Sequence, residues 1–454
     1  MASPQSRKTF RARLDHMITV LRGEIMTGKR QPGDFLPSER ELSTLFHLSN
    51  KLVRSGLEQL VTEGLIVKIP RVGNQVSETA RNGKVTIRFG YHRSLEQEAD
   101  LIGLLEQFMK AHPSIYVHPI PIDFQNYTDM VREYLDSGML DAVTVNIQNF
   151  DQLKIGRNHE LLQPQRPNPD IYPVLEQAFA EQERIYVRPL LFSPLVLCYN
   201  PNHFREKKIP LPFQPCGWDE LLHCASQLSI ENERFGFYSF LLSNNRWPIF
   251  LLQNGASSVE RMVEGITFWR DILYNHQVFP TYLSGNGADA EELFADGKVS
   301  IIMTSYLALN ALKASKIPFD VAPLPAFGGR ETLLMAIGVG ISRKSQALPA
   351  AQALADFLSS EHAQLHIRKT TLSIPALAGA AEWAGQEEMY RPPHYQIFRE
   401  LLPYCRLYTD IGLNAEEMNL VLKEARLFWS RLQTKDTMRK RIAEILTGKT
   451  PQTQ

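Results

Sequence analysis

The hydrophobic pattern divides the chain into a short helical N-terminal segment and a long stretch in which strand-like and helix-like runs alternate. Apolar residues recur at helical spacing over residues 10–27 and again over residues 50–63. From residue 85 onward, apolar runs such as 85–90 and 140–145 alternate with further helical patterns. Such alternation predicts an α/β unit with a mostly parallel sheet and helices on both faces.

The segment between the two first helical patterns has the signature of a helix start. Ser38 is a good N-cap, and Glu41 three residues later completes a capping box. We predict a short amphipathic helix after Ser38 that buries three apolar side chains, those of Leu42, Leu45 and Phe46.

A second helix and a hairpin follow. Ser49 can cap a helix over residues 50–63, and Gly64 should end it. The apolar residues 65–67 and Val76 then flank a turn at residues 70–74, which predicts two short strands. Two helices and a basic hairpin make a winged helix-turn-helix, whose second helix fits the major groove of DNA.

The motifs in this region resemble those of GntR-family repressors. The run Leu-Pro-Ser-Glu-Arg-Glu-Leu at 36–42, the pair at 53–54 and the residues 63–66 carry the resemblance. The sequence departs from the family at residues 49–51 and 73–75, so the operator read by other members does not transfer. The candidate DNA-binding residues are Ser38, Arg40, Ser49, Asn50, Lys51, Arg54, Arg71 and Asn74. By the resemblance, Arg40 and Arg54 match family positions that contact DNA, while Asn50 and Lys51 open the recognition helix, where side chains meet base edges. For each of them the alternative is a solvated surface residue, and Ser38 could serve only as a cap.

The α/β region is similar to family 1 extracellular solute-binding proteins. The similarity is carried, in order, by the runs 195–204, 217–221, 235–237, 293–303, 323–329, 338–341, 350–358 and 374–375. It implies two α/β lobes joined by a double crossover, with a cleft between them that mostly binds sugars and oligosaccharides.

Together the two resemblances predict a multidomain chain. An N-terminal α+β winged helix-turn-helix would span residues 1–76, and residues 77–84 would form a linker. A two-lobed α/β periplasmic-binding-protein-like (type II) domain would span 85–447. Its lobe 1 would take about 85–192 and 330–375, and its lobe 2 about 193–329 and 376–447.

Sugar sites combine aromatic faces with planar polar side chains. By the resemblance, the ligand-binding residues would be Tyr91, Arg93, Asn146, Gln148, Asn149, Phe192, Ser193, Asn245, Arg246, Trp247 and Tyr306. Trp247 and Tyr306 would be the stacking platforms. The alternative for the aromatic residues is a place in the core, where most Trp and Tyr side chains of α/β proteins lie.

The formal net charge of zero hides an asymmetry between the two regions. Residues 1–84 hold 14 Lys and Arg against 8 Asp and Glu, whereas the remainder holds 35 against 41. A basic small unit joined to an acidic large one suits a protein that touches nucleic acid at one end only. The chain has neither an apolar leader pattern nor an 18-residue apolar run, which predicts a cytoplasmic protein without a membrane partner.

The sequence contains no G-x-S-x-G, H-E-x-x-H, P-loop or G-x-G-x-x-G motif. Its four cysteines, at 198, 216, 224 and 405, have no metal-ligand spacing and are expected to be reduced thiols. We therefore predict a non-enzymatic protein without cofactor or metal. It would be a ligand-responsive regulator that binds a double-stranded DNA operator as a homodimer and responds to a sugar or oligosaccharide.

Two other functions stay open at this stage. Some GntR-type domains are fused to a pyridoxal-phosphate aminotransferase-like domain, which would need a Schiff-base lysine in a Ser-rich turn. Lys344, between Arg343 and Ser345, matches that context poorly. The third possibility is a sugar-binding protein whose N-terminal domain has lost DNA binding.

Overall fold

The computed structural model describes residues 4–26, 29–62, 65–69, 72–77, 85–123, 126–212, 217–255, 258–280, 282, 287–387 and 389–448. The predicted helix end at Gly64, the wing residue Arg71 and linker residues 78–84 lie outside these ranges.

Three helices and an antiparallel hairpin form the N-terminal unit. They are α1 (Pro4–Met26), α2 (Glu39–Phe46), α3 (Asn50–Thr62), β1 (Ile66–Ile69) and β2 (Gly73–Val76). The helix α1 starts before the predicted residue 10, since a proline such as Pro4 suits the first turn of a helix. The capping box forms as expected: the Glu41 amide donates to Ser38 Oγ at 3.3 Å, and the Ser38 amide donates to Glu41 Oε2 at 2.8 Å.

This unit has its own hydrophobic core. Met17 of α1, Leu42 of α2 and Val53 of α3 are fully buried in it. Leu45, which the pattern places in the core, is instead 66% exposed. The prediction is wrong there because α2 has only eight residues and buries the stripe around Leu42 alone.

The rest of the described chain forms a larger α/β unit. Its helices are α4 (Leu95–Glu98), α5 (Leu101–Ala111), α6 (Tyr127–Asp136), α7 (Ile147–Lys154), α8 (Pro173–Ala178), α9 (Pro201–Lys207), α10 (Trp218–Leu228), α11 (Ile249–Gln253), α12 (Val259–Leu273), α13 (Asp289–Ala295), α14 (Leu348–Leu358), α15 (Glu361–Thr370), α16 (Ala378–Ala381), α17 (Phe398–Leu401), α18 (Ala415–Trp429) and α19 (Lys435–Leu446). Short 3₁₀ helices cover Ile155–Leu161, Ala308–Leu312, Tyr395–Ile397, Leu402–Tyr404 and Tyr408–Ile411.

Its strands are β3 (Val85–His92), β4 (Ile115–Ile122), β5 (Ala142–Asn146), β6 (Ala180–Glu181), β7 (Arg184–Ile185), β8 (Val187–Tyr199), β9 (Phe235–Tyr238), β10 (Val299–Ser305), β11 (Asp320–Ala322), β12 (Thr332–Ile341), β13 (Ile374–Pro375) and β14 (Cys405–Arg406). Within the described residues, β6 and β7 form a small hairpin and the other ten strands form one sheet.

The large sheet is mixed rather than mostly parallel, which corrects the prediction. Its order is β4-β3-β5-β12-β8-β10-β9, with β11 and β13 on β8 and β14 on β12. The strand β3 is parallel to β4 and β5, and β9 is parallel to β10, as alternating strands and helices require. The long strands β8 and β12, however, run antiparallel to each other, to β5 and to β10.

These two long strands connect the two lobes. Lobe 1 is built on β3, β4 and β5, and lobe 2 on β9, β10 and β11. The first half of β8 pairs with the second half of β12, and the second half of β8 pairs with β10. The register of the β8–β12 pair shifts between Ile337 and Gly338. A Cβ atom on Gly338 would lie 2.3 Å from the carbonyl oxygen of Arg188, so only glycine permits this close approach.

The C-terminal segment is divided between the lobes. Trp429 Nε1 donates to the carbonyl oxygen of Ile266 at 2.9 Å, so α18 packs on lobe 2 as expected. The stretch 376–381 was also assigned to lobe 2 by the sequence. Its amides instead bond to lobe 1, from Ala376 to Leu190 O at 3.0 Å and from Ala378 to Asp170 O at 2.8 Å.

In the described part of the chain, no helix combines the length and the apolar character needed to cross a membrane.

Candidate DNA-binding surface and ligand cleft

Six of the eight predicted DNA-binding residues are exposed on the N-terminal unit. Ser38 and Arg40 at the start of α2 are exposed, as are Ser49, Asn50 and Lys51 at the start of α3. The first turn of α3 is the part of a recognition helix that meets base edges. The surface therefore has the residue types that DNA binding needs, and the contacts themselves stay predictions.

Arg54 is held in place by an ion pair. Its Nε atom lies 2.6 Å from Glu39 Oε2, and its side chain is 63% exposed. This pair connects α3 to the first residue of α2. Because an exposed ion pair contributes little to stability, Arg54 can exchange Glu39 for a phosphate at small cost.

Asn74 corrects the predicted set. Alternation along β2 places its side chain on the same side as Val76, facing the interior, and only 9% of it is exposed. Its carbonyl oxygen accepts a hydrogen bond from the Leu36 amide at 2.8 Å. The predicted DNA contact of Asn74 is therefore withdrawn, and Arg71 lies outside the described residues.

A cavity of about 430 Å³ lies between the two lobes. Parallel strands β3 and β5 end at it, as ligand sites in open α/β sheets require. Its polar side chains come from His92, Ser94, Glu98, Tyr127, Thr144, Asn146, Gln148, Asn149, Ser243, Asn245, Arg246, Ser305 and Tyr408. The crossover strand β12 contributes residues 334–337 to its wall.

Five of the eleven predicted ligand residues line this cavity. Asn146 ends strand β5 in lobe 1 and Gln148 and Asn149 follow it, while Asn245 and Arg246 precede α11 in lobe 2. Asn146 also caps α7, because its Oδ1 atom accepts a hydrogen bond from the Asn149 amide at 2.8 Å.

After strand β3 the prediction is displaced by one residue. Tyr91 and Arg93 were expected at the ligand, but His92 and Ser94 line the cavity. Successive side chains of a strand point to opposite faces, so a shift of one residue exchanges the faces. Tyr91 is buried on the other side and donates its hydroxyl to Glu96 Oε1 at 2.7 Å, while Arg93 is exposed.

The other four predicted ligand residues are fully buried in the core. Phe192 packs edge-on against Tyr172, and the Ser193 hydroxyl accepts a hydrogen bond from the Tyr306 amide at 2.8 Å. The Tyr306 hydroxyl donates to the carbonyl oxygen of Tyr395 at 2.8 Å. Trp247 has no exposed surface, which fits the alternative that it is a core residue.

Several residues of the cavity were not predicted. Glu98 ends the short helix α4, Tyr127 begins α6, and Tyr408 comes from the C-terminal region. The Tyr408 hydroxyl donates to Asp151 Oδ2 at 2.5 Å and so ties the C-terminal region to α7. Neither the spacing nor the type of these three residues indicates that they line the cavity, because the irregular segments that position them have no periodic pattern.

The lobe 1 wall contains a hydrogen-bonded chain of three side chains. His92 Nδ1 lies 2.7 Å from Ser94 Oγ, which donates to Glu98 Oε2 at 2.9 Å. Burial raises the pKa of the Glu98 carboxyl to about 7, although the Ser94 hydroxyl acts in the opposite direction. Burial also lowers the pKa of His92. Around neutral pH this wall therefore carries at most a fractional negative charge.

Two predicted ligand residues meet across the cleft. Gln148 of lobe 1 donates from Nε2 to Asn245 Oδ1 of lobe 2 at 2.7 Å. Beside them, Arg246 donates from Nη1 to the carbonyl oxygen of Asn245 at 3.1 Å and lies 3.7 Å from the Met335 sulfur. The lobes are thus in direct contact at the cavity.

The N-terminal unit touches lobe 1 through α1. Arg22 Nη1 donates to the Tyr134 hydroxyl at 3.1 Å, and both side chains are buried. One residue further along α1, a Cβ atom on Gly23 would lie 3.8 Å from the Met139 sulfur. The contact joins α1 to helix α6 and to the segment that leads into β5.

Neither a disulfide nor a metal cluster is present in the described ranges. Cys198, Cys224 and Cys405 are free, and Cys216 lies outside those ranges. No group of three His, Cys, Asp or Glu side chains there is placed to hold a metal ion.

Comparison with protein families identifies both parts of the chain. Residues 15–76 match the model for bacterial regulatory proteins of the gntR family. Residues 103–396 match the model for bacterial extracellular solute-binding proteins. Neither model describes an aminotransferase, so the comparisons give no support to that alternative. A search of curated proteins gave no match.

Solved structures similar to this chain include several with a bound sugar or sugar analogue. An ABC substrate-binding protein from Listeria monocytogenes in complex with cycloalternan has a TM-score of 0.68 and 20% identity, covering 80% of this chain and 99% of its own. The GacH receptor of Streptomyces glaucescens, solved unliganded and with acarbose, has a TM-score of 0.70 and 17% identity, covering 82% and 100%. The maltotriose-binding protein of Thermus thermophilus has a TM-score of 0.65 and 19% identity, covering 80% and 99%.

At these identities the similarity establishes the fold alone. It confirms the predicted two-lobed periplasmic-binding-protein-like architecture, and the gntR match confirms the predicted type of N-terminal domain. The solute-binding match covers more than half of the chain. The chain therefore belongs to the bacterial extracellular solute-binding protein family and carries an N-terminal regulatory domain of the gntR family.

Proposed function

We propose that the chain is a ligand-responsive transcription regulator that acts in the cytoplasm. The gntR-type domain binds operator DNA as part of a homodimer, and the solute-binding domain binds a small carbohydrate in the cleft between its lobes. Ligand binding changes the affinity for DNA. The presence of both domains in one chain supports this proposal, as do the sugar ligands named for similar structures. The proposal involves no catalytic step.

The observation that carries the proposal is the buried contact between α1 and α6. Tyr127, at the start of α6, lines the cavity, and Tyr134, two turns later on the same helix, accepts the hydrogen bond from Arg22. A helix is stiff over two turns, so a displacement at one end is felt at the other.

The same helix α1 also supports the DNA-binding surface. Met17 and Ile18 of α1 are buried in the core of the N-terminal unit, where a Cβ atom on Gly56 of α3 would lie 2.5 Å from the Met17 Cε atom. The ligand cavity, α6, α1 and α3 thus form a continuous series of packed elements. Through them, closure of the lobes around a ligand shifts the recognition helices of a dimer relative to each other.

Thermodynamic linkage sets the size of the effect. Ligand must bind more tightly to one arrangement of the domains, and DNA then shifts ligand affinity by the same factor. Typical coupling free energies are about 1–3 kcal/mol, which corresponds to roughly 5- to 150-fold in affinity.

The variant Tyr134→Phe tests the proposed route. It removes the hydroxyl that accepts from Arg22 and keeps the ring. DNA affinity without ligand and ligand affinity without DNA should each stay near the wild-type values, while the factor by which ligand changes DNA affinity should shrink. Fluorescence anisotropy with a labelled operator, with and without ligand, measures this factor.

The matched control is Tyr116→Phe on β4, since the Tyr116 hydroxyl makes no hydrogen bond within the described residues. It should respond to ligand as the wild type does. Equal ligand responses of Tyr134→Phe and the wild type would exclude the α1–α6 contact as the route. A wild-type protein that binds ligand without any change in DNA affinity would contradict the proposed function itself.

A further inference from the structure

Arg246 is the arginine that lines the ligand cavity. Its guanidinium has five N–H groups, and within the described structure only Nη1 has partners, the Asn245 carbonyl oxygen and the Met335 sulfur. No carboxylate of the described residues lies within salt-bridge distance of it. None of the unused N–H groups is among the buried atoms without a partner, so they open onto the cavity and are available to a ligand.

The charged groups around Arg246 do not fill that role. Glu291 interacts with Arg246 electrostatically, but its carboxylate accepts a hydrogen bond from the Thr304 hydroxyl and is almost fully buried. Burial lowers the pKa of the Arg246 guanidinium, and the Glu291 charge opposes this shift. Burial in turn raises the pKa of the Glu291 carboxyl, and the Arg246 charge opposes this shift.

The opposite wall of the cavity also tolerates a negative charge. Glu98 is the acidic residue that lines the cavity, and burial raises the pKa of its carboxyl to about 7. Around neutral pH it therefore repels an anion less than an ordinary carboxylate would. Helix α7 begins at the cavity with Asn146 as its N-cap, which directs the positive end of the helix dipole toward the same space.

The two residues that the sequence proposes as stacking surfaces for a neutral sugar do not line the cavity, since Trp247 and Tyr306 are fully buried outside it. The aromatic residues that line it, apart from His92, are Tyr127 and Tyr408, and both have hydroxyls already bonded to protein acceptors. Among the polar side chains that line the cavity, Arg246 has the largest number of N–H groups without a partner in the described structure.

We propose that the ligand of this cleft carries an oxyanion, a carboxylate or a phosphate, which Arg246 binds through its free N–H groups. The inference rests on the proposed sensing function and names the chemical class of the ligand: an acidic carbohydrate, such as a uronic acid or a sugar phosphate. A guanidinium group binds a carboxylate or a phosphate through two parallel hydrogen bonds in one plane, a bidentate geometry that a single neutral hydroxyl cannot adopt.

Calorimetric titration of the full-length protein with glucuronic acid, glucose 6-phosphate, glucose and maltose tests the proposal. At least one of the two acidic sugars should bind about 10- to 100-fold more tightly than glucose, because hydrogen bonds between charged groups are stronger than neutral ones. The two acidic probes distinguish a carboxylate from a phosphate ligand. The Arg246→Gln variant should lose most of this preference, and Arg246→Lys, which keeps the charge, should retain part of it.

A melting curve shows whether each variant folds, and Arg399→Gln, an exposed arginine with 56% of its side chain accessible, is the matched control. Preferential binding of glucose or maltose, or acidic-sugar affinity unchanged in Arg246→Gln, would overturn the anion assignment and leave the sensing function intact. Binding of none of the four probes by the folded wild type would contradict both.

Discussion

At the scale of single residues, the ion pair between Arg54 and Glu39 ties the two helices of the helix-turn-helix together without burying either charge. Arg54 and Arg40 are both exposed, as are the first residues of α3. We expect Arg54→Ala and Arg40→Ala each to weaken operator binding by roughly 1–3 kcal/mol while the melting temperature stays close to that of the wild type.

A gel-shift titration at fixed salt measures this loss. The matched control is Arg439→Ala on α19, an arginine with 57% of its side chain exposed and far from α3 in the sequence. Operator affinities indistinguishable among all three variants would remove Arg40 and Arg54 from the DNA-binding surface.

Trp247 behaves as a core residue despite its neighbour Arg246 lining the cleft. Its Nε1 atom donates to Asn244 Oδ1 at 2.9 Å, and its carbonyl oxygen accepts from Trp269 Nε1 at 2.9 Å. We expect Trp247→Ala to lower the free energy of unfolding by roughly 3–5 kcal/mol and to reduce ligand and DNA binding together. Denaturant unfolding gives the first quantity. A stable Trp247→Ala protein with weakened ligand binding alone would instead support the stacking role suggested by the sequence.

Glu98 makes stability depend on pH in a defined direction. Its pKa is about 7 in the folded protein and close to the ordinary value of 4.5 in the unfolded chain. Between these values the folded state holds a proton that the unfolded state has lost, so this contribution to stability falls as pH rises through that window. The melting temperature of Glu98→Gln should therefore rise relative to that of the wild type as pH increases from about 5 to 8. A difference in melting temperature between the two proteins that stays constant across this range would contradict the raised pKa of Glu98.

The sequence predicted which residues lie near the cleft better than it predicted where their side chains point. The resemblance to solute-binding proteins points to Asn146 and Arg246, and both line the cavity. It also points to Tyr91, whereas the neighbouring His92 lines the cavity, since a sequence pattern does not show which face each residue near the end of a strand takes. It points to Trp247 as a stacking position, but the place of this residue is fixed by contacts with distant residues such as Trp269.

At the scale of elements, the crossover strands β8 and β12 depend on one glycine. The carbonyl oxygen of Arg188 would be 2.3 Å from a Cβ atom at position 338, next to the register shift of the pair. We expect Gly338→Ala to force the strands apart and to lower the free energy of unfolding by roughly 1–3 kcal/mol. Because these two strands connect the lobes, ligand affinity should fall as well.

The control is Gly379→Ala in α16, where a new methyl group would meet no atom within 4 Å. This substitution should be neutral or slightly stabilising, because alanine restricts the unfolded chain more than glycine does. If Gly338→Ala is as stable as Gly379→Ala, the close approach of the two strands is not a constraint on the fold.

The elements themselves were largely predictable, and the sheet order was not. Hydrophobic periodicity located α3, β3, β5 and α6 because each buries one face or both against its neighbours. The antiparallel course of β8 and β12 was missed, since their continuous apolar runs are compatible with either direction. The direction of each strand depends on how the chain passes from one lobe to the other, and the local sequence pattern does not determine this path.

At the scale of the whole molecule, a single winged helix reads few base pairs, so useful specificity requires two. We expect a homodimer on a palindromic or repeated operator with half-sites about one helical turn apart. Footprinting should show two protected segments with that spacing, and sedimentation should give twice the 51.7 kDa mass of the chain. A monomer that protects one isolated half-site at full affinity would contradict the dimer.

The hydrogen bond between Gln148 and Asn245 has a consequence for the regulated promoter. It joins the lobes directly, from one side chain to the other. Such a bond favours the closed arrangement independently of ligand, so under the proposed function a fraction of the molecules will signal without any inducer or corepressor, and this fraction sets the background level of transcription. Selection for tight regulation would then act on these two amides rather than on ligand affinity. Replacing either amide by alanine would lower the background and shift the dose response to higher ligand concentrations, so sensitivity and leakiness would change together.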